Sequence, residues 1–305
     1  SHLMGAYDSL WLARKARHPL EITSAELQFR FADDGSVQGV GVRPRMQSMQ
    51  LIEEFMVLAN QCAAETLQEE ELPCMFRIHE EPSDDKLQAL EEYIKQSGVD
   101  IPHRTFTKAL EFNDLLRELA EAQGPAYILN DMVLRAQSKA RYSPDNVGHF
   151  GLNLQDYCHF TSPIRRYADL VVHRMLIHHL EKHRPTPEVE QEMNSWALHI
   201  SEREMFSVQV ERDAVERFAV LWMNTKVGDT FQGYVSGFSR AGVFVTLRDV
   251  NLSGLVAMDA LVGDYYEELQ DPPRLQGRST GIFFKLGDPI AIKLEATDLA
   301  KGRLR

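Results

Sequence analysis

Hydrophobic and polar positions keep a helical period through most of the first 223 residues and then change to strand-like alternation. Residues 6–17 (AYDSLWLARKAR) read as a helix. Residues 20–31 and 36–43 read as paired strands joined at Asp33-Asp34-Gly35, a turn signal. Residues 47–67 carry a strong amphipathic pattern, with Ile52, Phe55, Met56, Ala59, Cys62 and Ala63 tracing the apolar face. Residues 76–79 (FRIH) read as a short strand or extended loop. Helices are predicted over roughly 84–96, 104–122 and 125–140, broken at Ser97-Gly98 and Gly124-Pro125. A further helix runs from 163 to about 183, and after Pro185 and Pro187 a long one covers about 189–223.

From Lys226 onward apolar and polar residues alternate between glycine turns, as in VGDTFQGYVSGFSRAGVFVTLRDVNLSGLVAMDAL, which reads as strands of a small barrel. The predicted fold class is therefore α+β: a largely helical portion over 6–223 and a β portion over 226–305. Residues 1–5 read as an expression remnant and not as a signal peptide.

Composition narrows the function. No apolar run approaches the ~20 residues that cross a membrane, so no membrane partner is expected. Cys62, Cys74 and Cys158 are odd in number and form no CxxC pair, so neither a disulfide framework nor a zinc site is indicated. Each reads as a small buried apolar residue, and the predicted location is cytoplasmic. A net charge of −12 argues against non-specific coating of nucleic acid but leaves room for an enclosed basic channel.

The candidate chemistry lies in GHFGLNLQDYCHFTSPIRRYADLVVHR, which begins at Gly148. Thr161 or Ser162 fits an N-cap and Pro163 a first helical residue, with Leu170, Val171, Met175, Leu176 and Leu180 keeping the helical period. That places Arg165 and Arg166 at the electropositive end of a helix, where cations are unfavourable. An anion held by the arginines would explain them; so would Arg165 pairing with Asp169 one turn on, both in solvent. Both explanations are open on these grounds.

HFGL, about eight residues, then HFTSPIRRYADLVVHR resembles the closing signature of the catalytic (RNB) domain of the ribonuclease II / ribonuclease R family, processive 3′→5′ exoribonucleases. Residues 226–305 resemble an S1 domain, an OB-fold RNA-binding module that would form a five-stranded barrel. The resemblance implies hydrolysis of single-stranded RNA to nucleoside 5′-monophosphates with Mg2+, and no membrane partner. The family's metal-binding aspartates lie in an early aspartate-rich motif that is not found here: Asp33-Asp34 is a turn and Asp84-Asp85 opens a surface helix. No metal ligand is therefore assigned, the ligands are expected upstream of this chain, and the upstream part of the same protein is the protein partner suggested. The alternative is a non-catalytic single-stranded RNA-binding module, from a truncated or a degenerate nuclease.

By matched position, Arg165 corresponds to the family arginine that acts on the scissile phosphate, and Arg166 to a neighbour that holds a phosphate or a structural carboxylate. Tyr167 could pack or hydrogen-bond beside them. Glu53 matches a glutamate that contacts terminal nucleotides through ribose; it shares a helix face with Asn60, seven residues on, and Glu54 is taken as its solvated neighbour. His79 and His149 align with positions bordering the RNA channel, with a satisfied buried histidine the equal alternative for each. His159, His173, His178, His179 and His183 form no metal motif and read as a solvated face. In the β portion, Phe231 and Phe244 are expected as exposed stacking rings and Arg240 as a cation in a turn. Ala257 replaces a histidine common in S1 domains, and Ile22 lies near where some relatives carry a stacking aromatic.

Overall fold

A computed structural model describes residues 2–22, 27–97, 106, 108–121, 126–248, 252–261, 263–270, 273–300 and 302–304. The first helix, α1 (His2–Arg17), precedes an antiparallel hairpin of β1 (Leu27–Phe31) and β2 (Val37–Val42), which turns at Gly35. The predicted strand over 20–31 is thus shorter, with residues 23–26 outside the described set. Helix α2 (Gln47–Glu69) leads to β3 (Phe76–Ile78), followed by α3 (Asp84–Ser97), α4 (Ala109–Glu121) and α5 (Ala126–Ala136). Strand β4 (Arg141–Ser143) pairs antiparallel with β3. Then come α6 (Tyr167–Leu180) and the long α7 (Pro187–Asn224), with Pro187 at the start where its absent N–H costs nothing.

The main core joins α2, α6, α7, β3 and β4 through Leu67, Met75, Ile78, Val172 and Met193, all 1% exposed or less. A second cluster under α3, α4 and α5 centres on Leu90, Phe112, Leu115 and Val133, with Phe150 packed against it. Burial of such side chains supplies about 1.5–3 kcal/mol each, which is why the helices hold together across long loops.

The apolar face of α2 differs from the periodic prediction. Its buried residues are Glu54, Asn60, Ala63, Ala64 and Leu67, while Ile52 and Cys62 are exposed. Cys74 and Cys158 are buried as expected; Cys62 is not. Leu180, predicted on the apolar side of α6, is 76% exposed, and the buried side is Ala168, Val171, Val172 and Met175. Two polar groups inside the α2 face rotate the whole stripe, because both have partners across the core (Arg14 for Glu54, Tyr157 for Asn60).

The C-terminal strands are β5 (Thr230–Ser239), β6 (Gly242–Leu247), β7 (Ser253–Ala257), β8 (Tyr266–Gln270), β9 (Pro273–Gly277), β10 (Phe283–Lys285), β11 (Pro289–Lys293), β12 (Thr297–Asp298) and β13 (Arg303–Leu304). They form a four-stranded sheet in the order β11-β5-β6-β7, a three-stranded sheet β10-β9-β8 and the pair β12-β13. A single closed five-stranded barrel is not shown among the described residues. Alternation in sequence assigns faces to strands but not partners, so the division into separate small sheets was not legible. Gly242 is required at the β5–β6 turn: its φ is +148°, and a Cβ there would lie 2.0 Å from the Val256 carbonyl oxygen. Val235, Val243, Val245 and Leu275 make the core between the two larger sheets, and Ala219, Val220 and Met223 of α7 pack on Leu247, Leu294 and Leu304.

Candidate functional site

Helix α2 walls a cleft of about 610 Å³. Ser48, Met49, Ile52, Glu53, Met56, Val57 and Asn60 line one side, at the spacing of one helix face, and Leu152, Tyr157 and Arg166 the other. Tyr7 fixes α1 on α2 by donating to Gln50 Oε1 (3.1 Å), and Arg14 Nη1 meets Glu54 Oε1 at 2.7 Å. Glu54 is 4% exposed, so it is the structural carboxylate; Glu53 is the one that faces the cleft, half exposed and 2.7 Å from Arg45. The solvated role given to Glu54 is thereby corrected.

Asn60 ties the two walls together. It is 2% exposed, donates to the Tyr157 hydroxyl (3.0 Å) and accepts from the backbone N–H groups of Phe160 (2.9 Å) and Thr161 (3.2 Å). One buried amide therefore seats the segment that leads into the two arginines. Its importance was missed in the sequence, although a lone Asn inside an otherwise apolar helix face was the available signal.

The arginine segment does not begin a helix at Pro163. Residues 163–165 form a separate turn, closed by the Arg165 and Arg166 N–H groups on the Ser162 carbonyl (3.2 and 3.1 Å). Helix α6 starts at Tyr167 with Arg166 as its N-cap residue. Asp169, at the third helical position and 0% exposed, accepts from the Ser162 N–H and from Arg166 Nη2, both at 2.7 Å. The carboxylate suits the electropositive helix end and draws the chain back over it, which explains the delayed start. Arg166, not Arg165, is thus the partner of Asp169, and the pair is buried and not solvated. Arg165 is exposed, and among the described residues its side chain makes no hydrogen bond or ion pair. Ile164 is fully exposed beside it, and Tyr167 is exposed with its hydroxyl 3.5 Å from Arg174.

The HFGL segment docks on β3. Phe150 N–H donates to the His79 carbonyl (2.8 Å) and His79 N–H to that of Gly148 (3.0 Å). The His79 ring is fully used: Nδ1 accepts from the Gly151 N–H (2.9 Å) and Nε2 donates to the Ser138 carbonyl (2.8 Å). A Cβ at Gly151 would sit 2.7 Å from that Nδ1, so only glycine permits the contact. His149 Nδ1 accepts from the Leu152 N–H (3.1 Å), and its ring packs edge-on to His79 and Tyr157. His79 is therefore a satisfied interior histidine, whereas His149 is partly buried with its Nδ1 engaged. His159 also belongs to the interior, with Nδ1 2.8 Å from the Tyr142 hydroxyl, which corrects its placement on a solvated face.

Burial holds these rings neutral. It lowers His79, brings His149 to about 3, and with Arg166 and Arg77 nearby brings His159 to about 2. Unfolded histidine titrates near 6.5, so the unfolded chain binds more protons between that value and the folded ones. Stability is present above about pH 6.5 and falls as pH drops, by up to about 1.4 kcal/mol per pH unit for each buried ring. Urea midpoints measured from pH 7 to 4.5 are expected to decline steeply, and less so in His149→Gln; identical declines in the two proteins would remove His149 from the account.

In the β portion Phe244 is exposed on β6 and Arg240 is exposed in the β5–β6 turn. Phe231 is instead partly buried, facing Ile292 on β11 and packed against the α7 end, so it is not an exposed ring. Phe231 fills core because its face of β5 packs against the end of α7, a placement its sequence alternation could not reveal.

Residues 5–182, which hold the whole cleft, match the RNB domain family. The chain belongs to the RNB-domain family. Ribonuclease R of Escherichia coli (strain K12) is 33% identical over 312 residues, spanning 99% of this chain and 38% of its own length. The apo form of Mycoplasma genitalium RNase R superposes with a TM-score of 0.89 at 26% identity, over 98% of this chain and 47% of that one. The same protein in complex with ribose-methylated single-stranded RNA gives 0.88, with the same identity and coverage. The chain thus spans less than half the length of these relatives. Magnesium chemistry on RNA needs several carboxylates converging on the ion. Among the described residues of this RNB-domain chain no group of three or more His, Cys, Asp or Glu comes together, so they do not fit such a centre.

Proposed function

We propose that this chain is the RNA-holding, C-terminal portion of a ribonuclease R-like 3′→5′ exoribonuclease, acting processively on single-stranded RNA. The observation that carries the proposal is the cleft itself: an apolar wall of Met49, Ile52 and Met56 beside Glu53, Asn60, Tyr157 and Arg166, with an uncommitted Arg165 next in sequence. Apolar surface of this kind suits bases and ribose, and a guanidinium forks onto phosphate oxygens. Arg165 would hold the scissile phosphate and offset the charge that builds there during hydrolysis. Arg166, already held by Asp169, would shape the cleft and keep the turn in place. Glu53 would accept from a ribose hydroxyl. The C-terminal strands would act as an S1 module that feeds RNA inward, with Phe244 stacking on a base and Arg240 following the backbone.

Magnesium would come with ligands outside the described residues, and hydrolysis by this chain alone is a separate question from RNA binding. A second reading is a non-catalytic RNA binder. Among the described residues no helix is long and apolar enough to cross a membrane.

The test is direct. Fluorescence anisotropy with a single-stranded oligoribonucleotide is expected to show saturable binding that weakens with salt, since phosphate contacts release counterions. Incubation with and without magnesium then separates the readings. Release of nucleoside 5′-monophosphates from the 3′ end supports the enzyme, binding without release supports the binder, and no binding sinks both.

A further inference from the structure

Arg45 and Glu53 form an ion pair on the rim of the cleft. Arg45 lies in the short segment between β2 and α2, and its Nη2 is 2.7 Å from Glu53 Oε2. The side chains are 52% and 46% exposed. Among the described residues Arg45 is the only group that bonds Glu53. Glu53 lines the cleft and Arg45 does not.

A carboxylate on the wall of a cleft that takes a polyanion is a liability. Unscreened, it repels the phosphates on either side of the ribose it would contact, and at partial exposure such repulsion is felt over several ångströms. An arginine fixed to one carboxylate oxygen removes that repulsion. It also holds the carboxylate plane in one orientation and leaves the second oxygen as an acceptor for a hydroxyl. An exposed pair of this kind contributes little to folding. The interest of its geometry therefore lies in what it does to Glu53.

We propose that Arg45 is a specificity-determining positioning residue: it screens and orients Glu53 so that the carboxylate accepts from a ribose 2′-hydroxyl instead of repelling the strand. The proposal rests on the RNA-binding function above, including the ribose contact of Glu53, and adds to it the residue that sets up that contact. Arg45 acts through Glu53 and needs no contact with the substrate.

The experiment compares the affinity of the full chain for an oligoribonucleotide and for the same sequence with its last two nucleotides 2′-deoxy. Wild type is expected to prefer the ribose end. Arg45→Ala is expected to cut that preference by about tenfold, the worth of one hydrogen bond to a charged group. In a Glu53→Gln background, Arg45→Ala is expected to leave the preference unchanged, because no carboxylate remains to be screened. Arg45→Ala weakening both oligonucleotides equally, with the preference intact, would overturn the proposal and make Arg45 at most a phosphate contact. An equal effect of Arg45→Ala with and without Glu53 would also overturn it. Failure of the wild-type chain to bind either oligonucleotide would instead strike the RNA-binding function, so the two failures are distinguishable. Circular dichroism of each variant checks that its fold is kept; both side chains are half exposed, so the substitutions leave the core intact.

Discussion

Arg165→Ala is expected to slow release of the 3′-terminal nucleotide by about 100- to 1000-fold, in any preparation that hydrolyses RNA with magnesium, while changing single-stranded RNA affinity by less than about tenfold. The reasoning is differential binding. Many groups along the cleft and the C-terminal strands would share ground-state affinity, so losing one phosphate contact costs little of it. Arg165 is exposed, its side chain has no partner among the described residues, and it ends a turn whose approach is fixed by Asn60 and Asp169. A cation on a fixed backbone, with its guanidinium free of other partners, is available to meet charge that develops on a phosphate. Single-turnover rates and equilibrium binding, measured on the same oligonucleotide, check the split. Equal losses in rate and affinity would reduce Arg165 to a binding residue. Arg165→Lys should recover only part of the rate, since an ammonium cannot fork onto two oxygens.

Asp169→Ala is expected to destabilise the fold by about 3–5 kcal/mol, because it leaves the Arg166 charge without its partner in a buried position. The carboxylate is 0% exposed and one of its oxygens serves both Ser162 N–H and Arg166. Its other oxygen, Arg166 Nε and the Thr161 hydroxyl are buried without a partner among the described residues, so the cluster is arranged for position more than for stability. Asp169→Asn keeps an acceptor for the Ser162 N–H and should cost less than Asp169→Ala. Urea unfolding of the three proteins decides it, and a loss under about 1 kcal/mol for the alanine variant would show that Arg166 finds another partner.

Much of the architecture was legible. The long helices α2, α3 and α7 start and stop within a few residues of the positions that their periodicity and breakers indicate. The Asp33-Asp34-Gly35 turn holds, with Asp34 accepting from the Ser36 N–H at 2.9 Å. The errors share a cause. Glu53 and Glu54 are adjacent acids that local pattern cannot rank, and Arg14, 40 residues away, decides which is buried. For His79 and His149 the two readings could not be ranked, because their partners, Gly151 and Leu152, are found only when the HFGL turn lies on β3. Phe231 and Phe244 both alternate correctly along their strands, yet one fills a core and the other stays exposed.

The sequence alone determined the helical and strand-like halves, the segment that carries Arg165 and the family to which the chain belongs. Those features are local: they depend on spacing and residue type over a few turns. Only the tertiary structure decided that Arg166 is bound to Asp169 while Arg165 stays uncommitted, and that Glu53 faces the cleft under the hand of Arg45. Which of two neighbouring charges is buried, paired or left available depends on what the rest of the chain brings against each one. A charge taken out of water must find a partner, and that partner can lie anywhere in the chain.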